Sequence, residues 1–96
     1  MHVVTRTYSG KGAKELFDVL EEHKAEVGKL MKSIKGFVSY SLVRTEDGGF
    51  SVSVFRTKAR ADESIQAAKD WIKQNASDVG ARAPKIAEGS TILQLK

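Results

Sequence analysis

His23 is the imidazole in this chain best placed for pocket chemistry. It falls three residues after Leu20 and four before Val27, on the apolar side of a predicted helix. Imidazole exchanges protons near neutral pH, so a histidine facing a pocket can serve as an acid or base. The same spacing also suits a helix-edge histidine satisfied by a carbonyl or by water, and no acidic partner stands at a recognisable spacing from it. Trp71 is the single tryptophan. It offers a stacking surface for an aromatic ligand, or core packing beside Ile65, Ala68 and Ile72. Ser39, Ser41, Ser51 and Ser53 alternate along two predicted strands. Their small side chains leave room for a weakly polar pocket wall, with Ser41 and Ser53 as ligand contacts, but they suit a close packing surface equally well. None has the strand-turn-helix elbow of a hydrolase nucleophile.

Other charged motifs point less far. Gly10-Lys11-Gly12 precedes a predicted helix and could cradle an anion on free amides, yet no Gly-Lys-Ser/Thr closes a phosphate loop. Arg6, Arg44 and Arg56 all sit on predicted strands. They would either converge on an acidic ligand group or lie along the surface toward water. His2 and His23 stand on different elements with no carboxylate at ligand spacing, and the chain has no cysteine. A metal site is therefore not expected, and disulfides and thiol nucleophiles are excluded. The reading calls for no cofactor.

Charge sets further bounds. The formal net charge is +4, but lysines and arginines are spread through every segment and interleaved with Asp and Glu, most densely from Lys14 to Lys35. A nucleic-acid partner would need a clustered basic stripe, so none is expected. No apolar run approaches the roughly 20 residues of a membrane helix, and nothing at Met1-His2-Val3-Val4 resembles an export signal. With no cysteine to oxidise, the cytoplasm is the expected compartment.

These side chains need a scaffold. His2 to Tyr8 alternates with Val and Thr as a strand does, before the turn Ser9-Gly10-Lys11-Gly12. Apolar residues at Leu16, Phe17, Leu20, Val27, Leu30 and Met31 trace one face of a helix from Ala13 to about Ile34, stopped by Gly36. Strands over Phe37–Thr45 and Phe50–Thr57 flank Glu46-Asp47-Gly48-Gly49. A three-residue loop, Asp47-Gly48-Gly49, would set Glu46 opposite Phe50. Val38, Tyr40, Leu42, Val52 and Val54 then share one face, and the four serines share the other. A second helix is predicted from about Ala59 to Asn75, capped by Thr57 or Asp62, and a last strand from Ser90 to Leu95.

With 96 residues, the chain is read as one domain, residues 1–96. The order strand, helix, hairpin, helix, strand is the ferredoxin-like βαββαβ arrangement of the α+β class, with both helices on one side of a four-stranded antiparallel sheet. A chain this short buries only about two-thirds of its unfolded surface. A homodimer pairing sheet against sheet would cover the remaining face, and a twofold is the commonest symmetry.

On Gly36-Phe37-Val38-Ser39-Tyr40-Ser41-Leu42-Val43-Arg44, the turn Asp47-Gly48-Gly49 and the passage from Val52 to Trp71, the chain resembles the dimeric α/β barrel superfamily. Within it, the likeness is to small bacterial proteins related to antibiotic biosynthesis monooxygenases. The resemblance covers most of the chain and is one of pattern. It implies a pocket between sheet and helices in each subunit. Some members oxidise aromatic polyketides there with oxygen and no cofactor, and others degrade haem. The haem-degrading members use an asparagine on the first strand with a tryptophan and a histidine on the helices. Here Val4, Thr5 and Arg6 occupy that stretch and Trp71 comes later on its helix, so those roles are not carried over.

Three functional classes follow. The first is a small dimeric pocket protein that binds or oxidises a small aromatic molecule, with His23 as proton acceptor and Ser41, Ser53 and Trp71 as ligand contacts. The second is a non-catalytic ligand-binding or interaction module. The third, an RNA-binding domain of the same element order, fails on Gly48 and Val52, which stand where a basic and a stacking residue are needed.

Overall fold

A computed structural model describes all 96 residues. The elements run β1 (His2–Ser9), α1 (Ala13–Glu22), α2 (Lys24–Lys32), β2 (Phe37–Thr45), β3 (Gly48–Phe55), α3 (Lys58–Asn75), a short 3₁₀ turn (Ser77–Val79) and β4 (Lys85–Ser90). The strands form one antiparallel sheet in the order β2-β3-β1-β4. The helices cover one face of it, as the ferredoxin-like pattern requires.

The first helical stretch is kinked rather than continuous. His23 leaves helical geometry at φ −109° and ψ 24°, although its amide still bonds the Val19 carbonyl at 3.0 Å and its carbonyl accepts from the Val27 amide at 3.0 Å. Leu20 and Val27 are two turns apart, so their spacing is the same whether the helix is straight or kinked between them. Gly36 supplies the expected left-handed position, φ 79°. Thr57 caps α3 by accepting from the Arg60 amide at 3.3 Å.

The hairpin register differs from the expectation. Thr45 pairs with Gly48 and Val43 with Phe50, so the loop is the two residues Glu46-Asp47. Gly48 and Gly49 belong to β3 for a packing reason. A Cβ on Gly49 would overlap the Phe17 ring, and one on Gly48 would collide with the Tyr8 carbonyl and the Ala13 side chain. The shift by an odd number of residues exchanges faces on one strand relative to the other. Tyr40, Leu42, Ser51, Ser53 and Phe55 face the helices, while Ser39, Ser41, Val52 and Val54 face away. A bulge between Phe37 and Ser39 absorbs Val38 at the start of β2.

The last strand also lies earlier than predicted. Lys85 pairs opposite Thr7 and Ser90 opposite His2, and the Thr91 amide bonds the Met1 carbonyl at 2.9 Å. The ladder stops there. Residues beyond Thr91 lie outside the sheet, with Ile92, Leu93 and Leu95 exposed. The edge is held instead by polar contacts, with His2 Nε2 2.8 Å from Glu88 Oε1 and Lys58 Nζ 3.7 Å from the same oxygen.

Inward residues of β1 alternate as His2, Val4, Arg6 and Tyr8, all buried. The core divides around them. Tyr8 belongs to a cluster with Leu16, Phe17, Leu20, Val27 and Trp71. Val4 belongs to another with Met31, Ile34, Phe55, Ala61 and Ala68. A charged side chain cannot join either apolar set without solvation or partners, and Arg6 lies on the strand between them. Leu30 and Tyr40 pack against both clusters.

Candidate functional site: a cleft at the seam of two core clusters

Where the clusters meet, a small cavity opens between the sheet and the helices. Arg6 and Tyr40 reach it from the sheet, Leu20 from α1, Val27 and Met31 from α2, and Trp71 from α3. Eight of its nine lining side chains are apolar or aromatic, and the ninth is the Arg6 guanidinium. About 10 Å³ is open to the centre of a water molecule, room for roughly one water. Any larger occupant must push back flexible wall residues such as Leu30, Met31 and Ile72.

The cation is the distinctive element. Arg6 is 6% exposed, and nothing accepts its Nε–H. None of the protein's ion pairs includes it. Directly across the β1–β3 ladder is Ser51, which is fully buried beside Tyr40 and outside the cleft's lining. Burial raises the Tyr40 phenol above its ordinary value of 10.0, while the Arg6 charge and the Ser51 hydroxyl pull it the other way. Tyr8 is likewise raised by burial and lowered less by Arg6. Both phenols thus stay protonated around a buried positive charge.

Trp71 closes the helical side. Its ring is buried at 8% exposure, and Nε1–H donates to Glu26 Oε2 at 2.5 Å, tying α3 to α2. The indole is fixed at its polar edge and presents carbon surface to the cleft. His23 lies edge-on to it, with ring centroids 5.8 Å apart and planes at 65°.

The residues expected at a site are therefore dispersed. Trp71 lines the cleft; His23 stands beside Trp71, half-buried, outside the lining. Ser53 is buried on the helix-facing side of β3 but does not line the cleft. The expected wall of four serines does not form, because the two-residue turn puts Ser41, exposed, on the opposite face from Ser53. The three arginines also part company. Arg44 is exposed and bonds Asp18 at 2.9 Å and Glu21 at 3.3 Å, Arg56 is exposed, and Arg6 alone turns inward. Gly12 forms a plain helix start, with the Gly80-Ala81 backbone packed where a Cβ would project. Tyr40 was not singled out, and Ser51 only as one of the four wall serines. The alternation of β1 carried the signal for Arg6, since a charged residue shares its inward parity with Val4 and Tyr8. For Tyr40 and Ser51 the signal depends on register.

No protein-family model matches the chain, and no curated protein matches it significantly. Solved structures do. A Nitrosomonas europaea protein of unknown function superposes with a TM-score of 0.71 at 13% identity, covering 99% of this chain and 91% of that one. A Streptomyces coelicolor monooxygenase, the ActVA-Orf6 product in complex with nanaomycin D, gives a TM-score of 0.68 at 14% identity, over 99% and 90% of the two chains. A haem-degrading protein of Mycobacterium tuberculosis aligns over 100% of both chains at 22% identity with a TM-score of 0.58. At these identities the likeness is one of fold.

Proposed function

From a chain with the ferredoxin-like fold of the antibiotic biosynthesis monooxygenase-like structures, we propose a small-molecule pocket protein whose ligand is a small aromatic compound held between Tyr40 and Trp71. The observation that carries this reading is the cleft itself. Two aromatic side chains and one unpaired cation converge on the one place where the two core clusters fail to close. Pockets of mostly apolar lining with a single oriented polar group are the usual form of small-ligand sites.

Oxidation of an electron-rich ligand is the chemical extension of this reading. A substrate that forms a carbanion or ionised phenol can give an electron to oxygen directly, and the protein then needs only to desolvate and orient it. The cleft suits that limited role, for its lining is apolar but for one charge, and that charge favours an anion. His23 is outside the lining, so the reading gives it no contact with substrate and leaves it to position Trp71. A non-catalytic binding module would use the same cleft without turnover.

In this reading two copies pair through the open sheet face. Val3, Thr5, Phe50, Val52 and Val54 are half-buried there with no helix over them, whereas the other face is covered. Equilibrium dialysis against hydroxylated naphthalenes and anthracenes, with oxygen uptake followed on the same samples, tests the function. Saturable retention is expected, with oxygen uptake for those compounds that ionise readily. No retention of any compound would overturn the pocket reading, and retention without oxygen uptake would reduce it to binding.

A further inference from the structure

The pocket reading leaves the chemistry of the ligand open beyond its ring, and the buried polar atoms define it further. We infer that the cleft is built for an anionic oxygen, as on a carboxylate or an ionised phenol, which docks on Arg6. This inference rests on the cleft being a ligand site and specifies what that ligand must carry.

Arg6 is more than nine-tenths buried and lines the cavity, yet its Nε–H has no acceptor. Enclosing a charge without a partner is strongly unfavourable, and proteins ordinarily pair such charges or leave them in water. A guest in the cleft can satisfy Arg6. The guest must accept hydrogen bonds, because a guanidinium only donates. Its charge must be negative to offset the cation, and an oxyanion matches the planar fork of arginine.

The surroundings supply no competitor. The nearest ionisable groups from the sheet are Tyr8 and Tyr40, both kept neutral by burial. The helices present Leu20, Val27, Leu30, Met31, Ala68 and Ile72. Glu26 is held at the far edge of Trp71 by the indole N–H. An aromatic ring attached to the anion would then lie against Tyr40 and Trp71.

The test compares benzoate with benzamide, which has the same shape and no charge. Binding is followed by heteronuclear NMR on the single tryptophan indole N–H and on the Arg6 Nε–H of the full chain. Benzoate is expected to move both signals saturably and to bind at least about tenfold more tightly than benzamide, as a charge-assisted bond in a largely apolar site implies. Arg6→Met should abolish the preference while benzamide still binds, and Arg6→Lys should retain part of it. Equal affinity of the two probes for the unaltered protein would overturn the anion site and leave the pocket standing. A preference that survives in Arg6→Met would overturn it too, by assigning the selectivity to another cation. Failure of both probes to move the indole signal would remove the pocket reading and this inference with it. The wild-type comparison is decisive even where a variant fails to fold. Titration with para-nitrophenol on either side of its own ionisation separates the two anion sources: tighter binding of the ionised form adds phenolates to the class, and equal binding of both forms restricts it to carboxylates.

Discussion

Arg6 stands at the centre of the inward face of β1, where a leucine or methionine would join Val4 and Tyr8 in one continuous core. Its retention costs stability, since a buried guanidinium without a partner gives up hydration and gains little. Arg6→Met is therefore expected to stabilise the protein by roughly 1–3 kcal/mol in urea denaturation, with loss of anion binding. An unchanged or lowered stability would mean that the cation is satisfied in the free protein. The two tyrosines make a second expectation at this scale. Tyr8 and Tyr40 are the only tyrosines, and burial raises both above 10.0. The unfolded chain ionises first, so the stability tied to these phenols is complete below pH about 10 and declines as pH rises toward their folded values. An absorbance titration should show the folded protein ionising its tyrosines at a higher pH than the unfolded chain, and Tyr40→Phe should make stability less sensitive to alkali. Tyrosinate forming at the ordinary pH would contradict the burial. Sequence parity with Val4 and Tyr8 was the one signal that could have marked Arg6 as inward. The buried faces of Tyr40 and Ser51 were not legible without the turn.

The elements show why. Both candidate turns in Glu46-Asp47-Gly48-Gly49 place a glycine near the reversal, and sorting serines from valines favours the longer loop. The choice is made by tertiary contact, because Phe17 on α1 needs the space above Gly49. Gly49→Ala should accordingly cost roughly 1–3 kcal/mol through overpacking against that ring, measured by thermal or urea unfolding. A neutral result would return the glycine to a turn role. The kink at His23 was hidden for a related reason, since the apolar spacing is the same with and without it. Beyond it, Glu26 on α2 meets Trp71 on α3. Glu26→Ala leaves a buried indole N–H without an acceptor and should cost about 1–3 kcal/mol, read by tryptophan fluorescence during denaturation. The last strand was misplaced because hydrophobicity drew the prediction to Ile92-Leu93-Gln94-Leu95, whereas the residues paired with β1 are the polar run Lys85–Ser90.

For the whole molecule, element order was enough to give the sheet topology, because βαββαβ with right-handed crossovers permits few arrangements. The helices cover one face, and the other holds a row of half-buried valines and threonines. A dimer through that face should sediment as such. Val54→Lys, placing a charge at its middle, should shift the equilibrium to monomer without disturbing the Arg6 cleft on the other side of the sheet. A monomeric wild-type protein would contradict the pairing. The two clusters and the seam between them belong to one subunit, so ligand binding is expected in the monomeric variant as well. The most direct measurement is a crystal structure of the protein grown with a hydroxynaphthoate. The account predicts its ring between Tyr40 and Trp71 and its carboxylate on Arg6, with Leu30 and Met31 displaced. A ligand bound only on the open sheet face, with the seam still closed, would contradict it.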